Sequence, residues 1–385
     1  MPLRKQILFR RGLALSRISL PLHRMMLQPP AADEIEVSLF GRGVGECLVI
    51  HAGGGRWMIV DSILAPEVQT PVGLTYLEEI GVSPENVVLV VVTHWDDDHI
   101  RGIDEVDQAC TNAKFVCSAA MNRRDFNAHV LEQEHANIRQ GSGVDEARKI
   151  IRRRAASGAS PEWAQWNLDL FSDPAPFAFD VWSLSPSPEA VRRGLTMLAY
   201  RASGLAPARR SVDVGPNECS VALWVRAGAA RILLGGDLAE PGAENRGWSA
   251  VLGGTPKRWL EDGPATLFKV SHHGSDDARH EGIWTDLLDG RVVSALTPYR
   301  RGLHPPPTDE QRAWIHARTT EAHTTTAKAR STRRRGRPRE VERLLRASGR
   351  NLQVDRTYGH VRARTSADRV AWSVEYFGDA GRLPQ

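Results

Sequence analysis

The chain is poor in cysteine: four residues in 385, at Cys47, Cys110, Cys117 and Cys219. They are too few and too scattered for a disulfide framework, so a reducing, cytoplasmic setting is the expectation. No apolar run approaches the roughly 20 residues that a membrane-spanning helix needs. The N-terminal segment lacks the continuous apolar stretch of a secretory signal. Acid is missing from two places. Residues 1–32 hold six basic residues and no acid, and residues 327–339 hold seven and no acid. Net charge is +4, so setting aside these thirteen residues leaves the remainder at −9. An acidic body with basicity confined to two segments argues against a broad nucleic-acid track. No Ser or Cys stands with a convincing base and orienting group, so covalent nucleophilic catalysis is not expected.

What is present centres on residues 87–102, VVLVVVTHWDDDHIRG. The aliphatic, β-branched run reads as a strand buried on both faces. It stops at Thr93, and within seven residues come His94, Asp96, Asp98 and His99. A buried strand ending in imidazoles and carboxylates sets metal ligands at a sheet edge. Asp96, Asp97 and Asp98 would resist joint ionisation without a cation nearby. Ligand-type side chains recur at three later strand boundaries: Asn217 before SVALWV, Asp237 after ARILLGG, and His272/His273 after ATLFKVS. No local periodicity would generate that order.

These residues resemble the metallo-β-lactamase superfamily signature Thr-His-x-His-x-Asp-His-x-x-Gly, carried here by Thr93, His94, Asp96, Asp98, His99 and Gly102. Asp96 stands where most members have a histidine, a departure shared by the branch that includes the hydrolase domain of the DNA-uptake protein ComEC and its soluble relatives. The resemblance implies an αββα sandwich of two mixed β-sheets flanked by helices, in the α/β class. It also implies one or two divalent metal ions, zinc or manganese. His94 and Asp96, with Asn217 as a weak oxygen donor, would hold the first ion. Asp98, His99 and one of His272 or His273 would hold the second, with Asp237 bridging. Treating the two histidines as strand neighbours on opposite faces, we assign His272 to the metal and His273 to the substrate. Asp61, after the third strand, takes the place of the buttressing aspartate. In RRGLHPPP, which is similar to a Tyr-Gly-His-Pro of the ComEC branch, His304 is placed to bind a phosphate oxygen or protonate the leaving group. Asp98, His273 and His304 are thus the candidate catalytic residues. Oxygen donors in place of imidazoles move the preference from zinc towards harder ions such as manganese.

The chain divides into a basic N-terminal extension over residues 1–33, expected to be disordered, and a hydrolase domain over 34–385. Residues 121–170 read as a helical insertion and residues 324–339 as a basic segment. A Gly-, Pro- and Arg-rich loop is expected before Gly215, and a helix opening at Pro338 after the basic segment. Arg333, Arg334, Arg335 and Arg337 surround an Arg-Gly-Arg-Pro core of the kind that enters a narrow A·T minor groove. The expected function is phosphodiester hydrolysis, a nuclease acting on DNA through a metal-activated water. The competing classes are hydrolysis of a small cyclic nucleotide, phosphoester, lactone or thioester, and a metal-stabilised DNA-binding protein.

Overall fold

The structure, a computed structural model, describes residues 27–65, 69–121, 143–158, 160–202, 215–255, 257–301, 303–327 and 358–385. Ile35, Val37 and Leu39 alternate with Glu36 and Ser38 in the first strand, β1 (Glu34–Gly41), and turn one face inward. It pairs antiparallel with β2 (Glu46–His51), which pairs antiparallel with β3 (Trp57–Val60). From there the sheet runs parallel through β4 (Val87–Val92), β5 (Lys114–Ser118) and β6 (Glu162–Ala164). A second sheet repeats the plan. β7 (Leu168–Asp173), β8 (Phe179–Ser183), β9 (Leu223–Ala227) and β10 (Ala230–Leu234) are antiparallel. β10, β11 (Ala265–Lys269), β12 (Leu288–Leu296) and β13 (Ala322–Thr324) are parallel. The hairpin of β14 (Gly359–Ser366) and β15 (Ser373–Phe377) extends the first sheet beyond β1, and β16 (Gly381–Arg382) closes the second beside β13.

Both sheets are mixed, with helices outside, as the sequence led us to expect. Leu89 and Val91 of β4 face the core between the sheets, while Val90 and Val92 face the outer layer. Burial on both faces is why that strand reads as an unbroken apolar run. Each such side chain contributes roughly 1.5–3 kcal/mol by leaving water. Tyr76 and Leu77 of α1 (Val72–Glu79) and Ile103 and Val106 of α3 (Ile103–Ala109) cover the first sheet; the short α2 (Asp97–Ile100) lies between. Trp248 and Val251 of α6 (Gly247–Gly253) and Ile315 of α7 (Asp309–His316) cover the second.

Two segments depart from the expectations. Residues 143–156 of the expected helical insertion do form a helix, α4 (Gly143–Ala156), and residues 122–142 lie outside the described residues. Residues 162–164 and 168–173, however, are strands at the edges of the two sheets. Part of the expected loop before Gly215 is a helix, α5 (Pro188–Ala202). Ser187 Oγ accepts from Ala190 N at 3.2 Å and caps its start, and Gly194 is packed so closely that a Cβ would lie 2.6 Å from Cys219 Sγ. Its proline and glycine disguise a helical period. The N-terminal extension to residue 26 and the helix expected at Pro338 lie outside the described residues. Among the described residues no helix is long and apolar enough to cross a membrane.

Candidate metal centre

The chain delivers its polar side chains at the C-terminal ends of parallel strands, where open α/β sheets place ligand sites. β4 ends into Thr93, His94 and Asp96; β10 into Asp237; β11 into His272 and His273; β12 into Thr297 and Tyr299. Asp61, just past β3, has φ 59°, a left-handed value that a non-glycine residue rarely adopts. Its carboxylate accepts from Thr93 N at 2.8 Å, from Thr93 Oγ1 at 2.7 Å and from His99 Nδ1 at 2.8 Å. Three contacts hold the strained residue in place. Asp61 thus buttresses the site, as the sequence suggested.

The three innermost imidazoles share one arrangement. His99 Nδ1 donates to Asp61. His273 Nδ1 donates to the Thr297 carbonyl at 2.8 Å. His94 Nδ1 lies 2.9 Å from Thr93 Oγ1, whose own proton goes to Asp61, so His94 is the donor. All three rings therefore turn Nε2 inward, the orientation that outer partners impose on metal-ligating histidines. Those three Nε2 atoms, with Asp237 Oδ1 and Asn217 Oδ1, are buried without hydrogen-bond partners. Asp237 Oδ2 sits 3.2 Å from His99 Nε2 and 3.3 Å from His273 Nε2. Imidazole nitrogens facing a carboxylate in a buried site are satisfied by a proton or by a cation held between them. The ligand atoms of Asp98, His99 and His273 lie within 4.8 Å of one another. The donor set fits a divalent metal ion.

The electrostatics agree. Burial alone would depress the pKa of His99, but Asp237 and Asp61 outweigh it and hold it well above the usual value. Burial would raise Asp237, yet His99 and His273 keep it well below the ordinary carboxylate range. Burial, followed by the charge on His99, pushes His94 down to about 3. Burial and the neighbouring Asp98 push Asp96 up to about 6. The carboxylates of Asp237 and Asp61 thus favour positive charge at His99, while burial and that charge keep His94 neutral.

Of the residues expected at the site, the structure brings together His94, Asp96, Asp98, His99, Asp237 and His273. Asp96 Oδ2 is 3.7 Å from His94 Nε2, and Asp98 Oδ2 is 3.8 Å from His273 Nε2. The roles given to the two adjacent histidines need correcting. Residues 271–274 are a turn and not a strand, and His272 and His273 both adopt left-handed φ, 45° and 54°. His273 is the ring that enters the cage. His272 points aside, with Nδ1 2.8 Å from Asp277 Oδ1 and Nε2 2.9 Å from Asn217 Nδ2. Both its nitrogens are engaged. Asn217 engages His272 through its Nδ2, and its Oδ1 is buried without a hydrogen-bond partner. His304 lies exposed on the loop after β12, and Tyr299 of the same loop occupies the mouth. Arg333, Arg334, Arg335 and Arg337 lie outside the described residues.

Sequence reasoning overlooked three features. Tyr299 lies tilted beside His273, ring centroids 5.4 Å apart. A cavity of about 230 Å³ opens onto Asp96 and Asp98 and is also lined by Arg42, Arg101, Arg301 and Tyr299. Beneath the cage, the fully buried Lys269 lies between Glu46 and Asp237. The only signals in the sequence were an acid opening an otherwise apolar strand, ECLVIH, and a lysine closing another, ATLFK.

Residues 40–191 match the family model described as the metallo-beta-lactamase superfamily. No curated protein matches the chain significantly. Among solved structures, the metallo-beta-lactamase fold protein YhfI from Bacillus subtilis is 13% identical, with 74% of this chain and 94% of that chain covered at a TM-score of 0.36. A metallo-beta-lactamase with a HARLDQ motif from Cronobacter sakazakii is 14% identical, covering 63% and 76% at a TM-score of 0.32. The hydrolase AbOPH of the beta-lactamase superfamily is 16% identical, covering 55% and 72% at 0.33. By the match over residues 40–191 the chain contains a metallo-β-lactamase superfamily domain, and its two-sheet fold and donor cage fit a metal-dependent hydrolase.

Proposed function

We propose that this protein is a phosphodiesterase of the ComEC-like branch, a nuclease that hydrolyses DNA. Asp98, His99, Asp237 and His273 would hold one divalent ion, and His94 and Asp96, with Asn217 Oδ1 as a weak further donor, a second. Bound there, such ions lower the pKa of water and neutralise charge that develops on the attacked centre and the leaving oxygen. Asp61 keeps Nε2 of His94 and His99 aimed inward.

The observation that carries the substrate reading is the cavity over Asp96 and Asp98. Three arginines from separate segments, Arg42, Arg101 and Arg301, line it together with Tyr299. Guanidinium forks match phosphate oxygens in geometry and charge. They orient the phosphoryl group against the carboxylate-rich cage, while Tyr299, in place of the exposed His304, is near enough to His273 to hold the leaving oxygen. A covalent cysteine route has no support: burial pushes the Cys110 and Cys219 thiols up to about 12, far from a reactive thiolate.

Manganese- and zinc-dependent cleavage of labelled single- and double-stranded DNA, wild type beside Asp98→Ala/His99→Ala, tests this reading. Cleavage lost in the double variant supports a metallonuclease. Metal-loaded wild-type protein that cuts neither DNA would sink the nuclease assignment. A second reading rests on the size of the mouth. At about 230 Å³ it is smaller than most pockets for drug-sized ligands, roughly 300–1,000 Å³, which suits a cyclic nucleotide or small phosphoester. Turnover of such compounds without DNA binding would select it.

A further inference from the structure

The ammonium group of Lys269 is sealed beneath the metal centre, its side chain 1% exposed. Its Nζ donates to the Gly236 carbonyl at 2.8 Å, contacts Glu46 Oε1 and lies 3.6 Å from Asp237 Oδ1. Glu46, also 1% exposed, opens β2 in the first sheet, whereas Lys269 ends β11 in the second. Ion pairs buried this deeply are weak contributors to stability, because desolvation consumes most of the attraction. A tie between sheets alone would be better made of packed hydrocarbon.

The two oxygens of Asp237 face different neighbours. Oδ2 meets His99 Nε2 and His273 Nε2 at 3.2 and 3.3 Å, while Oδ1 turns towards Lys269. Glu46 lies close enough to compete for the same cation: one of its oxygens is within 4.8 Å of ligand atoms of both His99 and Asp237. The lysine meets both carboxylates. It occupies Glu46, which would otherwise be an extra anionic donor, and it draws one oxygen of Asp237 away from the cage.

We propose that Lys269 and Glu46 form a positioning pair that presents a single oxygen of Asp237 to the metal and keeps Glu46 out of its ligand set. Without the Glu46 carboxylate, the Lys269 ammonium has only Asp237 as its anionic partner and pulls that ligand back. Without Lys269, Glu46 and the second oxygen of Asp237 both turn to the metal. The proposal rests on the metal-centre reading and is independent of the substrate.

The test uses full-length protein stripped of metal, then titrated with zinc against a chromophoric chelator and, separately, loaded with cobalt(II) for visible spectroscopy. Loss of a partner that orients a ligand typically weakens metal binding by about 10–100-fold, and that is the loss expected for Glu46→Gln. Lys269→Met is expected to weaken the cobalt ligand-field bands, because added oxygen donors raise the coordination number. The neutral pair Glu46→Gln/Lys269→Met leaves no unpaired buried charge, so it guards against simple failure to fold. It should melt close to wild type yet keep an altered cobalt spectrum. Wild-type zinc affinity and cobalt spectrum in all three folded variants would overturn the proposal and leave the pair as a tie between sheets. Wild-type protein that takes up no metal would overturn the metal-centre reading itself, and the proposal with it.

Discussion

Replacing His273 and His272 separately by alanine tests the geometry of the cage most directly. The two residues are neighbours in sequence, but only His273 turns an unpartnered, buried Nε2 towards Asp237 and Asp98. Structural zinc sites with four protein ligands bind with apparent free energies of roughly 10–16 kcal/mol. Divided evenly, one of four donors is worth about 3 kcal/mol. At about 1.4 kcal/mol per decade, His273→Ala should weaken zinc binding roughly hundredfold. His272 instead holds Asp277 and Asn217, and its side chain is 18% exposed. As an outer contact to a weak donor, its removal should cost about tenfold at most. The assay is zinc competition against a chromophoric chelator, with melting of the metal-free variants as the control for folding. Loss of zinc in His272→Ala, with near-normal affinity in His273→Ala, would refute the reasoning.

Asp61→Asn puts an amide where three donors now meet a carboxylate, so His99 loses its Nδ1 acceptor or flips its tautomer. Metal affinity should fall by about 10–100-fold, measured by the same competition. Gly236 has φ 51°, and a Cβ there would lie 2.7 Å from the Val221 carbonyl oxygen. Gly236→Ala should cost at least the roughly 1–2 kcal/mol of left-handed strain, seen as a lower urea midpoint; an unchanged midpoint would contradict the contact. Away from the metal, burial lowers His51 and His323 to about 4, below their ordinary 6.5. Between those values the unfolded chain binds more protons, so stability is complete above pH 6.5 and falls as pH drops towards 4. At about 1.4 kcal/mol per pH unit and residue, the loss at pH 5 is about 2 kcal/mol each. Urea denaturation from pH 7 to 5 should show a shallower decline for His51→Gln/His323→Gln than for wild type; parallel curves would count against it.

The sequence made one class of residue visible. His94, Asp96, Asp98, His99 and Asp237 stand out because imidazoles and carboxylates interrupt apolar strands whose burial on both faces leaves no alternation to confuse the reading. Residues that act by where they stand were hidden. Glu36 alternates with Ile35 and Val37 like any solvent-facing strand residue, yet it is fully buried and accepts from Tyr76 OH at 2.6 Å and Arg364 Nε at 2.8 Å. Its partners lie 40 and 328 positions away, beyond any window of periodicity. Glu46 and Lys269 were obscured in the same way, each an ordinary strand-end charge until the two sheets bring them together.

The pair His272–His273 shows a different limit. Strand alternation places neighbouring side chains on opposite faces, so it divides two histidines without saying which faces the metal. The division is real, but its cause is not alternation. Gly235 and Gly236 before Asp237 bring β10 so close to the turn after β11 that a Cβ on Gly235 would lie 2.1 Å from Ser271 Oγ. The backbone then has to leave the strand at once, and two successive left-handed residues make that turn. Strain of about 1–3 kcal/mol at each such residue persists only where the surroundings fix it. Here His272 is held by Asp277 and Asn217, and His273 by the Thr297 carbonyl. The outer histidine thus acts as an anchor for the turn, and the turn carries the inner one to Asp237. Choosing between the rings required knowing which elements crowd the turn, and that is a tertiary fact.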